Sequence, residues 1–332
     1  MRIASFNLES LEPVSRAGVP LGERAEILRP QLERLRADVI CLQEVNGQRG
    51  PGEQLRSLHA LDDLLKGTPY QSYERVSTTG SEGSGVADVH NLVILSHYPI
   101  VAHREIRHQT MRPISYQRLT AVPPDDGGQP VRFDRAILMA EVETGGGNRL
   151  FVFNVHFRAP LATMIPGQKE SAFVWKSVRS WAEGFFLSAI KRTGQALELR
   201  LAIDELLDAD AHAQIAVCGD FNAEDHETPL KIVIGAEEDT GNGLLAHRSM
   251  VVLDRSLAKD RRFSVLHHGQ PQMLDHILVS RPLLARFKHM EAHNETLGDE
   301  LVGYAKVQHS TGSYHAPVVA EFAPHRGPMP VS

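Results

Sequence analysis

Five apolar runs in this chain each stop at an acidic, amide or imidazole side chain: Ser5-Phe6-Asn7-Leu8-Glu9, Cys41-Leu42-Gln43-Glu44, Asn154-Val155-His156, Gly219-Asp220-Phe221-Asn222 and Leu274-Asp275-His276-Ile277. A further polar pair, Tyr314-His315, follows near the end. Short apolar runs bounded in this way read as buried β-strands, and strands that end at one rim of a sheet gather their terminal side chains in one place. A lone Glu after an apolar run is an ordinary solvated strand end. Five such coincidences are a much stronger constraint, because one sheet edge must accommodate them all.

Between these runs the pattern alternates between strand and helix. Residues 2–8 read as a first strand, and Leu28, Leu32 and Leu35 fall on one face of a helix that Pro30 either starts or kinks. A buried strand over 38–42, a helix around 53–66 and a strand near 70–76 follow, and then a polar, glycine-rich loop over 77–88. Residues 91–96 are strand. Strands 133–143 and 149–157 form a hairpin about the turn Gly145-Gly146-Gly147-Asn148. A helical stretch covers 168–209, and strands are expected at 214–219, 275–280 and 315–322. With 332 residues, 42% of them hydrophobic, and no composition break, the expectation is one α/β domain over 1–324. It would carry a helical insert at about 160–192 and leave 325–332 as a tail.

The net charge of −6 gives no global attraction to polyanions, so nucleic-acid binding would need a local basic patch. The two cysteines, Cys41 and Cys218, lie inside apolar runs and read as buried free thiols, which excludes a disulfide framework. The chain enters a strand directly after Met1, and no apolar run is long enough to span a bilayer. A soluble cytoplasmic protein is the expectation.

Side chains two apart on a strand share a face, which pairs Asn7 with Glu9 and His156 with Asn154. By the same rule Glu44 ends the face of Ile40 and Leu42, and Asp220 ends the face of Ala216 and Cys218. Carboxylates, carboxamides and imidazoles gathered at one rim suit a hard divalent cation and a phosphate ester. The cation neutralises the anionic ester, and a nearby imidazole or carboxylate handles the proton.

In order and spacing these motifs resemble the deoxyribonuclease I-like endonuclease/exonuclease/phosphatase superfamily, from residue 2 to about 322. The resemblance implies a four-layer α/β sandwich, two packed mixed β-sheets flanked by helices, and a phosphoesterase using Mg²⁺ or Mn²⁺. It implies Glu44 as the principal metal carboxylate, with Asn7 supporting the metal and Glu9 in the place of an acidic second ligand. His156 would contact phosphate with Asn154 as its neighbour, and Asp220 and Asn222 would position the attacking water. Asp275 would orient His315 as a dyad. The choice of base between His315 and Asp220 stays open. Arg135 matches an arginine before the hairpin, and Arg158 lies just past His156.

One departure concerns the motif usually written Ser-Asp-His, which here is Ser313-Tyr314-His315. Loss of that acid points to one tightly held divalent ion, with Tyr314 either donating to phosphate or packing as an aromatic. The stretch Lys169–Arg192 is rich in Trp175, Trp181, Phe185 and Phe186 and in basic residues. Val174, Val178, Trp181 and Phe185 fit a helix face, for core packing, an oligomer interface or a cap over substrate. His97 and the basic segment around 104–118 are weaker phosphate candidates, and His267 and His268 read as surface polarity. The leading expectation is a phosphodiester hydrolase acting on nucleic acid by in-line water attack. The alternatives are a lipid-derived or small-molecule phosphoester, and, supported by Tyr314 alone, a non-catalytic binding protein.

Overall fold

The computed structural model describes residues 1–15, 18–80, 85–299 and 312–324. In chain order its first strands are β1 (Arg2–Leu11), β2 (Val39–Val45), β3 (Glu74–Ser77), β4 (Asn91–Ser96) and β5 (Ile100–Ile106). A small hairpin of β6 (Ile114–Tyr116) and β7 (Gln129–Val131) precedes β8 (Ile137–Thr144), β9 (Asn148–His156) and β10 (Gln214–Asp220). Then come β11 (Val251–Val252), the hairpin β12 (Val265–His267) and β13 (Gln270–Gln272), β14 (Asp275–Val279), β15 (Phe287–Ala292) and β16 (Val318–Phe322). One six-stranded sheet has the order β15-β16-β1-β2-β4-β3, and a second has β11-β14-β10-β9-β8-β5. Both are mixed: β1 with β2 and β9 with β10 are parallel, and the other pairs are antiparallel.

Alternation along the strands explains the layering. Ile3 and Cys41 of the first sheet meet Val152, Cys218 and Ile277 of the second in a core between the sheets. Ala4, Phe6, Ile40 and Leu42 face outward and pack under α1 (Leu21–Leu35) and α2 (His59–Leu65). Phe153, Val155 and Val217 face the other way, under α3 (Val178–Ala209) and α4 (Thr228–Ile234). The result is a four-layer α/β sandwich of two mixed sheets flanked by helices. Among the described residues, no helix is long and apolar enough to cross a membrane.

Several local expectations change. Helix α1 begins at Leu21 and runs through Pro30, whose exposed position lets the orphaned carbonyl of the preceding turn meet solvent. The helix expected at 53–66 is confined to His59–Leu65, and the segment expected as strand from 70 opens with a 3₁₀ turn at Pro69–Ser72. The stretch read as helical from 168 enters α3 only at Val178, where Ser177 caps the helix by accepting from the Ser180 N–H. Val174 therefore lies outside the helix, while Val178, Trp181, Phe185 and Phe186 face solvent rather than the core. The glycine-rich loop at 77–88 includes 81–84, which lie outside the described residues, as does the tail at 325–332.

Candidate active site

Topology gathers the polar strand ends. The parallel pairs β1/β2 and β9/β10 finish at the same rim, delivering Asn7, Glu44, His156 and Asp220. The antiparallel neighbours begin there: Asp275 opposes Asp220 in register, and His156 opposes Asp220 on the other side. The segment before β16 brings His315 beside β1, and Asn91 opposite Val45 puts His90 beside Glu44. Asn7, His156, Asp220 and Asp275 all belong to strand faces turned toward the opposite sheet, so the site is the mouth of the sandwich.

Two of these positions depart from strict alternation. Glu44 shares parity with Ile40 and Leu42, which would send it under the helices. Its left-handed backbone (φ 57°) and the register shift between Leu42 and Val45 turn it to the rim instead. Glu9 and Ser10 are likewise left-handed, at φ 49° and 50°, so Glu9 does not follow Asn7. The Glu9 carboxylate accepts the Tyr314 N–H at 2.7 Å, and the Glu9 N–H donates to Asn7 Oδ1 at 2.9 Å. That bond fixes the Asn7 amide with its nitrogen toward the carboxylates, 3.1 Å from Asp220 Oδ2 and 3.5 Å from Glu44 Oε1. As placed, Asn7 holds the carboxylates and does not offer its own oxygen.

The reactive groups form two adjoining sets. Asp275 Oδ2 lies 2.8 Å from His315 Nδ1, and His315 Nε2 faces Asp220 Oδ2 at 3.9 Å. Asp220 accepts from the Asn222 N–H at 2.7 Å and from the Asn222 amide at 3.1 Å. In the other set, Glu44 Oε2 accepts from the Ser10 N–H at 2.9 Å, while Glu44 Oε1 lies 3.6 Å from His156 Nε2. His156 Nε2 also faces Asp220 at 3.4 Å. The Gly219 before Asp220 sits at φ +148°, and a Cβ there would collide with the Val155 carbonyl, so this motif admits only glycine.

The electrostatics separate roles. Burial, together with the nearby Asp275 and Glu44, pushes Asp220 up to about 7, against the pull of His315 and the Asn222 N–H. Burial works against a charged His315, but Asp275, Asp220 and Glu44 outweigh it and raise this imidazole well above its ordinary value. His156 goes the other way: burial, Arg135, His90 and His315 all hold it neutral. Burial disfavours ionised Glu44, yet His90, Arg135, His315 and the Asn7 hydrogen bond prevail, so its pKa is lowered.

Other residues singled out in the sequence have different surroundings. Asn154 is fully buried, and its amide bonds Gln43 at 2.8 Å and the carbonyls of Leu42 and Val93 at 3.0 and 2.8 Å. It ties one sheet to the other and does not reach the rim. Tyr314 is 5% exposed, with its ring edge beside Gly298. His97 meets Tyr73 at a tilt and Tyr98 edge-on at the opposite end of β4, about 20 Å of strand away from the site. Arg135 donates to the Phe157 carbonyl at 3.0 Å, and Arg158 pairs with Asp134. His267 ends β12 and His268 lies in the turn that joins it to β13.

Sequence reasoning missed His90, Ser10 and Arg24. Arg24, 2% exposed, donates to the carbonyls of Leu8, Glu9 and Ser10 at 2.7, 3.1 and 3.2 Å, bracing the bulge that presents Ser10 to Glu44. A buried arginine inside a helix otherwise lined by leucines was the available signal. His90 follows a loop and precedes a strand, where no apolar run marks its end.

The donor set fits a divalent cation. Glu44 is ionised and its Oε1 has only long neighbours, at 3.5 and 3.6 Å, while His156 Nδ1 and Asp275 Oδ1 are buried without a hydrogen-bond partner.

Residues 4–315 match the family model described as "Endonuclease/Exonuclease/phosphatase family". No curated protein matches the chain in sequence. Similar solved structures include a mannosyl-6-phosphatase of Bacteroides thetaiotaomicron, with 14% identity, TM-score 0.59, and 97% of this chain and 99% of that chain covered. An endonuclease/exonuclease/phosphatase from Bacteroides vulgatus has 17% identity, TM-score 0.56, and 97% and 98% covered. Truncated Caenorhabditis elegans TDP2 has 14% identity, TM-score 0.54, and 97% of both chains covered. At these identities the structures share the fold, whereas the family model matches nearly the whole length in sequence, and on that match this chain belongs to the endonuclease/exonuclease/phosphatase family.

Proposed function

We propose that this protein hydrolyses a phosphoester with the help of a divalent cation, Mg²⁺ or Mn²⁺, and that the substrate is a compact anionic ester. The observation that carries the substrate reading is a cavity of about 600 Å³ lined by Arg49, Arg56, Arg107, Arg135 and Arg158. His90 and Arg135 are shared between this cavity and the carboxylate cluster behind it. Five guanidinium groups against Asp88 and Asp134 give the wall a positive balance, and a volume of this order suits a small molecule. By contrast, the insert's Lys169 and Lys176 donate to backbone carbonyls, and Lys191 pairs with Asp134.

Glu44 would hold the cation, whose charge, when bound, polarises a phosphoryl oxygen. Arg135 and the protonated His315 both act on Glu44 electrostatically, and from there they would stabilise the charge that develops on the phosphoryl oxygens. Asp220, with a pKa near neutrality, is the better base: it accepts the proton of the attacking water, which Asn222 and Asn7 help to orient through that carboxylate. His315 carries its proton already and so serves as a donor rather than the base.

A nucleic-acid substrate draws its own support from Arg49 and Arg107, both exposed at the cavity. A panel of sugar phosphates, inositol phosphates, bis-p-nitrophenyl phosphate, sphingomyelin, RNA and single- and double-stranded DNA separates the readings. Turnover of a compact ester at least tenfold faster than cleavage per phosphate of DNA is expected. The reverse ranking would overturn the compact-substrate reading.

A further inference from the structure

The two sets of titratable groups differ in how closely they are drawn together. Asp275 and His315 are in direct contact at 2.8 Å, and Asp220 is held by both nitrogens of Asn222 and by Asn7. Glu44, His90 and His156 instead stand apart: Glu44 Oε2 is 3.8 Å from His90 Nδ1, and Glu44 Oε1 is 3.6 Å from His156 Nε2. Their donor atoms nevertheless all lie within 4.8 Å of one another. Those separations are too long for hydrogen bonds and somewhat longer than the ~3 Å edge between neighbouring ligands at bonds of about 2.1 Å. Closing the two Glu44 separations to that edge needs roughly 0.6 and 0.8 Å of side-chain movement.

The local backbone points the same way. His90 is left-handed at φ 60°, as is Glu44 at φ 57° across the β2–β4 pair, so both side chains reach the rim from conformations that L-residues seldom adopt. The His90 and His156 rings meet edge to face with centroids 5.9 Å apart. His156 is 2% exposed, and the nitrogen it turns to Glu44 and Asp220 is Nε2, at 3.6 and 3.4 Å.

We propose that His90 and His156 join Glu44 as protein ligands of the divalent cation, making a two-imidazole, one-carboxylate site that selects Mn²⁺ over Mg²⁺. The proposal rests on the metal-assisted reading of this site and adds its ligand set. Mg²⁺ demands hard oxygen donors in near-ideal octahedral geometry, whereas imidazole nitrogen suits the borderline first-row ions. Replacing oxygen donors by two nitrogens therefore shifts preference toward Mn²⁺ and its neighbours.

The test uses full-length protein stripped with chelator and loaded with Mn²⁺, read by electron spin-echo envelope modulation. Directly coordinated ¹⁴N is expected in the wild type. His90→Ala should reduce the modulation depth and weaken Mn²⁺ binding at least tenfold, while Mg²⁺ affinity, measured by displacing Mn²⁺, should fall less. Thermal melts of the metal-free proteins check that His90→Ala is folded, and His90→Gln serves as a second, bulkier variant. Absence of ¹⁴N coupling in the wild type, or coupling unchanged in both His90 variants, overturns the ligand assignment. These readouts need no turnover. Nitrogen coupling in a protein that hydrolyses no phosphoester would leave this inference standing and remove the functional reading; metal-dependent hydrolysis without coupling would do the opposite.

Discussion

Asp220 concentrates the chemistry of this rim into one side chain. It is fully enclosed, touched by Asn7 and Asn222, and faced by two imidazoles, with a pKa pushed up to about 7. A base acts when deprotonated, so turnover is expected to rise with pH through roughly this value. His315 donates when protonated, and its raised pKa puts a falling limb at higher pH. Asp220→Asn should cost about 10²–10⁴-fold in kcat and remove the rising limb; His315→Gln should remove the falling one. A pH–rate profile of Asp220→Asn that keeps both limbs would assign the base elsewhere. At this scale the sequence was readable wherever a polar residue ends an apolar run and faces the other sheet, as Asn7, His156 and Asp220 do. It misled at Asn154, because composition cannot tell an amide at the rim from one spent on cross-sheet bonds. It was silent at His90, which stands outside any strand.

Among elements, the strand ends depend on bulges and on buried charges behind them. The bulge at Glu9 and Ser10 is held by Arg24 from α1, and neither the left-handed turn nor its brace follows from strand periodicity. The strand β14 carries a second ionic element on its outer face, where His276 Nδ1 meets Asp254 at 2.7 Å and Arg262 bonds the same carboxylate. Burial opposes both charges, but the pairing wins, lowering Asp254 and raising His276. The contribution of Asp254 is present above the ordinary carboxylate value of about 4 and is lost as pH falls through its lowered pKa. That of His276 is full below about 6.5 and is lost as pH rises through its raised pKa. The contribution of this pair to stability should therefore be flat between those ordinary values and decline on either side. Asp254→Asn leaves a buried imidazolium without its counter-charge and is expected to cost about 3–5 kcal/mol by urea denaturation at pH 6. A loss under 1 kcal/mol would show that the pair is dispensable.

At the scale of the whole molecule, alternating strand and helix patterns made the α/β class legible, whereas the four-layer arrangement was what the family resemblance implied; the structure shows each sheet burying one face under helices. The start of α3 was not legible, since the aromatic spacing from Val174 continues across the Ser177 cap into loop. The net charge of −6 also bears on substrate choice. A long polyanion meets a molecule of net negative charge and gains only local attraction from the arginines at the cavity, so binding of DNA should be weak and steeply salt-dependent, whereas compact esters should turn over with little change in KM between low and physiological salt. Salt-insensitive, submicromolar DNA binding would contradict that. The central claim is that a cation held by Glu44 drives phosphoester hydrolysis at the mouth of the sandwich. Its most direct test is hydrolysis of bis-p-nitrophenyl phosphate by chelator-stripped protein before and after Mn²⁺ is restored, with Glu44→Ala alongside and its fold checked by circular dichroism. The expected result is no turnover when stripped, recovery with Mn²⁺, and a rate about 10²–10³-fold lower in folded Glu44→Ala. Turnover that survives stripping, or a folded Glu44→Ala as active as the wild type, would contradict the account.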